Sequence, residues 1–262
     1  MLGTVLVAEL IAGTALPAAP AEDPSAAPLV VRDRAVYLLG GGPATDRLLS
    51  RIASNIGAAV DRVEAFWGVD WPRDISVLAT VSDDEFRAAA GGGPAPQWAD
   101  IAAVTVVDRV DPEHRVAIGQ RIVFAPGAAG MTEPALRIVL SHELFHYAAR
   151  VDTAPDAPRW LTEGVADFVA RPIDPVPPGA RSVVTLPSDA DLDTPGPQRS
   201  SGYDRAWWFA RFVADAYGAA KLRAFYLAAC GVGHADLPTA MRDVLGTDSA
   251  RLLARWKEWM VG

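Results

Sequence analysis

Two histidines, His142 and His146, stand four residues apart, and Glu143 directly follows the first of them. The surrounding pattern predicts a helix over about residues 132–150. Residues four apart project from one face of a helix, so both imidazoles can reach one metal ion. Glu143 can then approach a water molecule at that ion as a general base. The His-Glu-x-x-His pattern therefore indicates metal-assisted hydrolysis, whereas a chance match would leave two ordinary histidines on a helix.

A catalytic zinc site needs a third protein ligand beside two histidines, together with an open position for water. The segment Trp160-Leu161-Thr162-Glu163-Gly164-Val165-Ala166-Asp167 opens the next predicted helix and supplies a candidate. Glu163 is expected to face the metal, while Gly164 and Ala166 are small enough for close helix packing. A chance match to the first motif predicts no such carboxylate downstream. The two motifs together therefore favour a zinc site with three protein ligands.

The motifs His142-Glu143-x-x-His146 and Trp160-Leu161-x-Glu163-Gly164-x-Ala166 resemble those of the gluzincin metallopeptidases, and most closely the compact peptidase MA-like proteins. The resemblance covers roughly residues 115–260. It implies one zinc ion per chain, with Glu163 as the third ligand. It also implies that Asp167, one turn after Glu163, hydrogen-bonds a zinc-bound histidine and fixes the orientation of its ring.

A tyrosine near a later helix is the candidate for binding the oxyanion. Tyr203-Asp204-Arg205 is predicted to begin that helix and looks like the Tyr-Glu-Lys helix start of the gluzincin aminopeptidases, whose tyrosine hydroxyl stabilises the tetrahedral oxyanion. Amide hydrolysis requires a hydrogen-bond donor aimed at that charge. The alternative for Tyr203 is a packing aromatic in a Trp-rich helix. His114 and His234 are rival donors, but they lie in no recognisable motif.

The segment Arg121-Ile122-Val123-Phe124-Ala125 resembles the clan's edge strand, along which an extended peptide can add as another strand. No Gly-x-Met-Glu-Asn element stands before the helix, so no carboxylates for a substrate α-amine can be identified. We therefore expect a zinc peptidase that acts on a peptide or protein substrate, as an endopeptidase rather than an aminopeptidase. The alternative is a non-catalytic zinc-binding or peptide-binding protein that retains the peptidase fold.

The elements that must position these residues predict an α+β fold. Strand-like and helical runs at 29–131 predict a small mixed α/β N-terminal lobe with an edge strand. Residues 132–262 are expected to form a helical lobe that carries the metal site, and the two lobes would make one catalytic, zincin-like unit. Within the second lobe, residues 172–202 are rich in proline and predict a long irregular loop, a candidate wall or lid for the site.

Composition narrows the partners and the cellular location. The formal net charge of −8 and the absence of a Lys/Arg run argue against a nucleic-acid partner. Cys230 is the only cysteine, so an intramolecular disulfide is excluded. Residues 1–28 are expected to be a signal-like or disordered leader, because the apolar run up to Ala21 ends in small residues. Glu9 interrupts this run, which is too short to span a membrane. We expect export through an atypical signal, with a cytoplasmic location as the alternative.

Overall fold

The structure is a computed structural model that describes residues 6–11, 27–98, 100–177, 184–194 and 196–262. The chain divides into two compact units, the first ending at Val151 and the second beginning at Asp152. The N-terminal part holds a small sheet and the C-terminal part is mainly helical, so the predicted α+β class is confirmed. Within the predicted leader, Leu6–Ile11 forms a strand of the sheet rather than a disordered segment, whereas residues 1–5 and 12–26 lie outside the described residues. Residues 178–183 and 195 of the predicted loop also lie outside them.

Six strands of the first unit form a mixed sheet. The described strands are β1 (Leu6–Ile11), β2 (Leu29–Val31), β3 (Arg34–Gly40), β4 (Asp74–Ala79), β5 (Ile101–Val107), β6 (Arg109–Asp111), β7 (Val116–Ile118) and β8 (Arg121–Phe124). The sheet order is β1-β5-β8-β4-β3-β2, and β6 and β7 form a separate hairpin. β8, β4 and β3 are mutually parallel, β1 is parallel to β5, and β5 is antiparallel to β8.

The helices of the first unit cover this sheet. They are α1 (Pro43–Trp67), α2 (Asp83–Ala89), α3 (Ala95–Trp98) and α4 (Glu133–Ala149). α1 buries an apolar stripe at helical spacing, which includes Leu48, Ile52, Ile56, Val60 and Val63. α4 packs against α1 and against β5 and β8. Thr132 caps α4, since its hydroxyl accepts a hydrogen bond from the Ala135 amide. The helix that carries the His-Glu-x-x-His pattern is therefore held in the core of the first unit, whereas the predicted boundary at residue 131 places it in the C-terminal lobe.

The assignment of Arg121–Ala125 to an edge strand is wrong. β8 hydrogen-bonds to β5 on one side and to β4 on the other, so neither of its edges can receive an added strand. All four of its residues are buried, as is typical of an interior strand with both faces covered. The outer strands of the sheet are β1 and β2.

The second unit is helical. Its described helices are α5 (Arg159–Ala170), α6 (Asp189–Asp193), α7 (Pro197–Tyr217), α8 (Ala219–Cys230), α9 (Leu237–Leu245) and α10 (Ser249–Val261). α7 lies at the centre and packs against α5, α6, α8 and α10. Phe209 of α7 makes edge-to-face contacts with Trp160 and Trp256, so aromatic side chains join three helices. No helix among the described residues is both apolar enough and long enough to cross a membrane.

The second half of the predicted loop 172–202 is not irregular. Ser188 and Asp191 form a capping box that starts α6, and α7 begins at Pro197. The prediction that Tyr203 begins its helix is therefore also wrong, because Tyr203 lies inside α7. The proline content favoured a loop, but Pro197 occupies the first turn of a helix, where its missing amide hydrogen costs nothing.

Candidate metal centre

The two histidines of α4 face each other. The Nε2 atoms of His142 and His146 are 3.0 Å apart, and the ring centroids are separated by 4.8 Å. Both side chains are buried. This geometry follows from the four-residue spacing, which places both rings one turn apart on the same face of the helix. The two nitrogens therefore converge on one point, as two ligands of one ion must.

Glu143 is fully buried and is held by Thr105, a residue that lies outside the sequence motifs. The hydroxyl of Thr105 in β5 lies 2.7 Å from the carboxylate Oε2 of Glu143 and 2.9 Å from its main-chain oxygen. Thr105 is the one polar residue in the run Ile101–Val107. A lone hydroxyl in an otherwise apolar strand is a usable signal, because a buried hydroxyl needs a partner.

Glu163 lies on α5 and is fully buried. Gly164 permits the close contact that α5 makes with α7: a β-carbon at Gly164 would lie 2.5 Å from the main-chain oxygen of Ala206 and 2.7 Å from its carbonyl carbon. The absence of a side chain at position 164 therefore sets how near Glu163 comes to the residues of α7.

The start of α5 is capped by a distant carboxylate. Pro158 precedes the helix and provides no side-chain cap. Asp189 accepts hydrogen bonds from the main-chain amides of Arg159 and Trp160, at 3.2 and 2.9 Å. The guanidinium of Arg159 in turn donates to the main-chain oxygen of Asp189 and to Asp193. The short α6 segment therefore fixes the first turn of the helix that carries Glu163.

Tyr203 is buried on α7, where the charge of Glu163 acts on its hydroxyl. Burial raises the pKa of the Tyr203 hydroxyl well above its usual value, and the charge of Glu163 raises it further. The phenol consequently keeps its proton throughout the neutral range and remains a hydrogen-bond donor. That is the property an oxyanion-binding group needs.

Asp167 belongs to a charged cluster of the second unit. Arg171 donates to the carboxylates of Asp167 and Asp204, at 3.2 and 3.1 Å. Burial alone lowers the pKa of Arg171, but these two carboxylates outweigh it and raise that pKa above its usual value. The guanidinium of Arg171 also lies over the ring of Trp207, 3.8 Å from its centroid. This cluster orients Asp167, and its predicted hydrogen bond to a zinc-bound histidine stays a prediction.

One group of three potential ligand side chains stands out among the described residues. His142, His146 and Glu163 each offer one ligand atom, and these atoms all lie within 4.8 Å of one another. Two imidazoles and one carboxylate are a donor set that zinc accepts in catalytic sites. Two zinc–nitrogen bonds of about 2.0–2.1 Å at a tetrahedral angle would separate the nitrogens by about 3.3 Å, close to the 3.0 Å between the two Nε2 atoms. The residues fit a zinc ion.

The two remaining histidines have other partners. His114 is exposed, and its Nδ1 lies 3.0 Å from Asp111. His234 lies 3.5 Å from Asp156, and its Nδ1 lies 3.0 Å from the main-chain oxygen of Ala235. Neither belongs to the group of potential metal ligands.

Comparison of the chain with known proteins gives no match, either to a protein-family model or to a curated protein. The assignment of the site therefore depends on its motifs and on its geometry.

Proposed function

We propose that this protein is a zinc-dependent peptidase that binds one zinc ion through His142, His146 and Glu163. The observation that carries the proposal is the buried group of two imidazoles and one carboxylate, whose ligand atoms lie within 4.8 Å of one another. Two imidazoles and one carboxylate at this spacing form a ligand set of the kind that holds zinc in catalytic sites. A zinc ion held there would activate a water molecule at neutral pH and polarise a substrate carbonyl.

Glu143 would be the general base and acid of the reaction. Its carboxylate would take a proton from the attacking water and then deliver that proton to the leaving amine. Its position directly after His142 supports this role, as does its complete burial. A carboxylate away from bulk water exchanges its proton with the reacting groups rather than with solvent.

Tyr203 would donate a hydrogen bond to the oxyanion. The hydroxyl stays protonated because burial and the charge of Glu163 both raise its pKa. A neutral phenol binds developing negative charge without competing as a metal ligand at neutral pH. Asp167 would orient one of the zinc-bound histidines, held in turn by Arg171.

The proposed substrate is a peptide or a protein, cleaved internally. The net charge of −8 disfavours nucleic acid as a partner. No cluster of carboxylates for a substrate α-amine is identified in the motifs, which favours endopeptidase over aminopeptidase cleavage. We further propose that the protein acts outside the cytoplasm, on the basis of its signal-like N-terminal run.

A peptide-library cleavage assay tests the proposal. The purified protein is expected to cut internal peptide bonds, to lose this activity with a zinc chelator and to regain it when zinc is restored. The Glu143→Gln variant is the control for a contaminating peptidase. A protein that carries zinc but cuts nothing would support the non-catalytic alternative. A protein that takes up no zinc would overturn the proposal altogether.

A further inference from the structure

The hydroxyl of Thr105 contacts two oxygens of the same residue. It lies 2.7 Å from the Oε2 atom of Glu143 and 2.9 Å from the main-chain oxygen of Glu143. Both residues are buried, with exposed fractions of 2% for Thr105 and 0% for Glu143. A threonine hydroxyl has one proton, so one of these two contacts is the stronger hydrogen bond at any moment. The shorter distance and the negative charge both favour the carboxylate.

The position of the Thr105 hydroxyl is fixed by the sheet, so it can hold the Glu143 carboxylate in one orientation. Its strand, β5, is hydrogen-bonded to β8 along one edge, where Thr105 is in register with Ile122. Glutamate has three rotatable side-chain bonds, and restricting them costs conformational entropy. A donor on a sheet strand can hold one carboxylate orientation against this entropy. The contact with the main-chain oxygen ties the same residue to the strand through its backbone as well.

If Thr105 had only a structural role, the contact with the main-chain oxygen of Glu143 would be enough to satisfy its hydroxyl. A buried threonine hydroxyl is satisfied by one main-chain carbonyl oxygen of a neighbouring element. Thr80 shows that arrangement in the same unit: it is equally buried, and its hydroxyl donates to the main-chain oxygen of Phe124 at 2.9 Å. Thr105 differs from Thr80 in the additional, shorter contact with a buried carboxylate.

We propose that Thr105 is a positioning residue that sets the orientation of the Glu143 carboxylate for proton transfer. This inference rests on the proposed function, in which Glu143 is the general base. With Oε2 held by Thr105, Oε1 is the oxygen that accepts the proton from water. The O–H bond of water breaks as the Oε1–H bond forms, and the same proton later passes to the leaving amine. The Thr105 proton stays on its own oxygen throughout.

The first test of this inference does not depend on activity. Crystal structures of the wild-type protein and of the variants Thr105→Val, Thr105→Ser and Thr80→Val would be compared. In the wild type, Thr105→Ser and Thr80→Val, Glu143 is expected to keep one carboxylate orientation. In Thr105→Val the carboxylate is expected to turn away or to occupy several orientations. An unchanged Glu143 carboxylate in Thr105→Val would overturn the inference, whether or not the protein proves to be a peptidase.

The second test measures turnover with a peptide substrate. A misplaced base loses turnover rather than substrate binding, so kcat of Thr105→Val is expected to fall about ten- to a hundredfold with KM nearly unchanged. Thr105→Ser should restore most of kcat, because serine supplies the same donor. Thr80→Val controls for the loss of a buried threonine hydroxyl and should keep kcat within about twofold. An equal loss in both valine variants would reduce Thr105 to a structural role. A wild-type protein without activity would refute the proposed function, while the crystal structures would still decide the role of Thr105.

Discussion

Gly164 and Ala206 bring α5 and α7 into direct backbone contact. A β-carbon built at Gly164 would lie only 2.5 Å from the main-chain oxygen of Ala206, a distance that a real side chain cannot adopt without movement of a helix. The two helices carry Glu163 and Tyr203. The relative placement of a proposed zinc ligand and of the proposed oxyanion donor therefore depends on the absence of a side chain at one position.

The Gly164→Ala variant is expected to be less stable than the wild type by about 1–3 kcal/mol, because the new methyl group must push the helices apart. Thermal unfolding followed by circular dichroism measures the effect. Gly57→Ala is the matched control, since Gly57 also lies within a helix and a β-carbon there would come no closer than 3.9 Å to Val31. That control should be neutral or more stable by up to about 1 kcal/mol. Equal stability of the two variants would show that the close contact is relaxed in solution.

Metal content tests the ligand assignment. The wild-type protein is expected to hold about one zinc ion per chain, measured by mass spectrometry of the metal after dialysis. His146→Ala and Glu163→Ala should each lose most of it, because a site with two protein ligands binds zinc far more weakly. His114→Ala and His234→Ala are the matched controls, because both histidines lie outside the candidate site. Full zinc retention in His146→Ala would remove His146 from the ligand set.

Glu143→Gln separates the base from the ligands. This variant is expected to keep zinc, since Glu143 is not one of the proposed metal ligands. Its peptidase activity should fall by a factor of about 10²–10⁴, since an amide cannot take the proton from water. Glu133→Gln on the same helix is the control, because Glu133 lies in the first turn of α4 and pairs with Arg51. If Glu143→Gln lost zinc and Glu163→Gln kept it, the two roles would be exchanged.

Tyr203→Phe tests the oxyanion donor. The variant removes one hydroxyl and keeps the ring, so we expect zinc content and folding to be preserved. Turnover should fall roughly a hundredfold or more, chiefly in kcat, because the hydrogen bond strengthens as negative charge develops on the carbonyl oxygen. Tyr217→Phe, on the same helix, is the control: the hydroxyl of Tyr217 accepts a hydrogen bond from Arg255 near the helix end. Unchanged kcat in a folded, zinc-loaded Tyr203→Phe would leave Tyr203 a packing residue.

The helices were the most predictable part of the fold, since apolar spacing and capping residues are local features of a sequence. The helix predicted over about residues 132–150 is present as α4 (Glu133–Ala149), with Thr132 as its cap. The prediction was wrong where a residue type occurs in two kinds of local structure. The prolines of 172–202 favoured a loop, but Pro197 lies in the first turn of α7. Proline disrupts the interior of a helix and is tolerated at its start, and composition does not distinguish these positions.

The sequence by itself determined which side chains are candidates for the site. The four-residue spacing of His142 and His146 places both rings on one helix face, whatever surrounds the helix. Tertiary structure alone decided which strand is interior and which residue holds Glu143. β8 contains the apolar run 122–124, and such a run is equally compatible with an edge or a central strand until its neighbours are known. Thr105 lies 38 residues before Glu143 in the chain, and their contact exists because β5 packs against α4. Helix geometry is set by neighbouring residues along the chain, whereas strand order and strand-to-helix contacts are set by residues that only folding brings together.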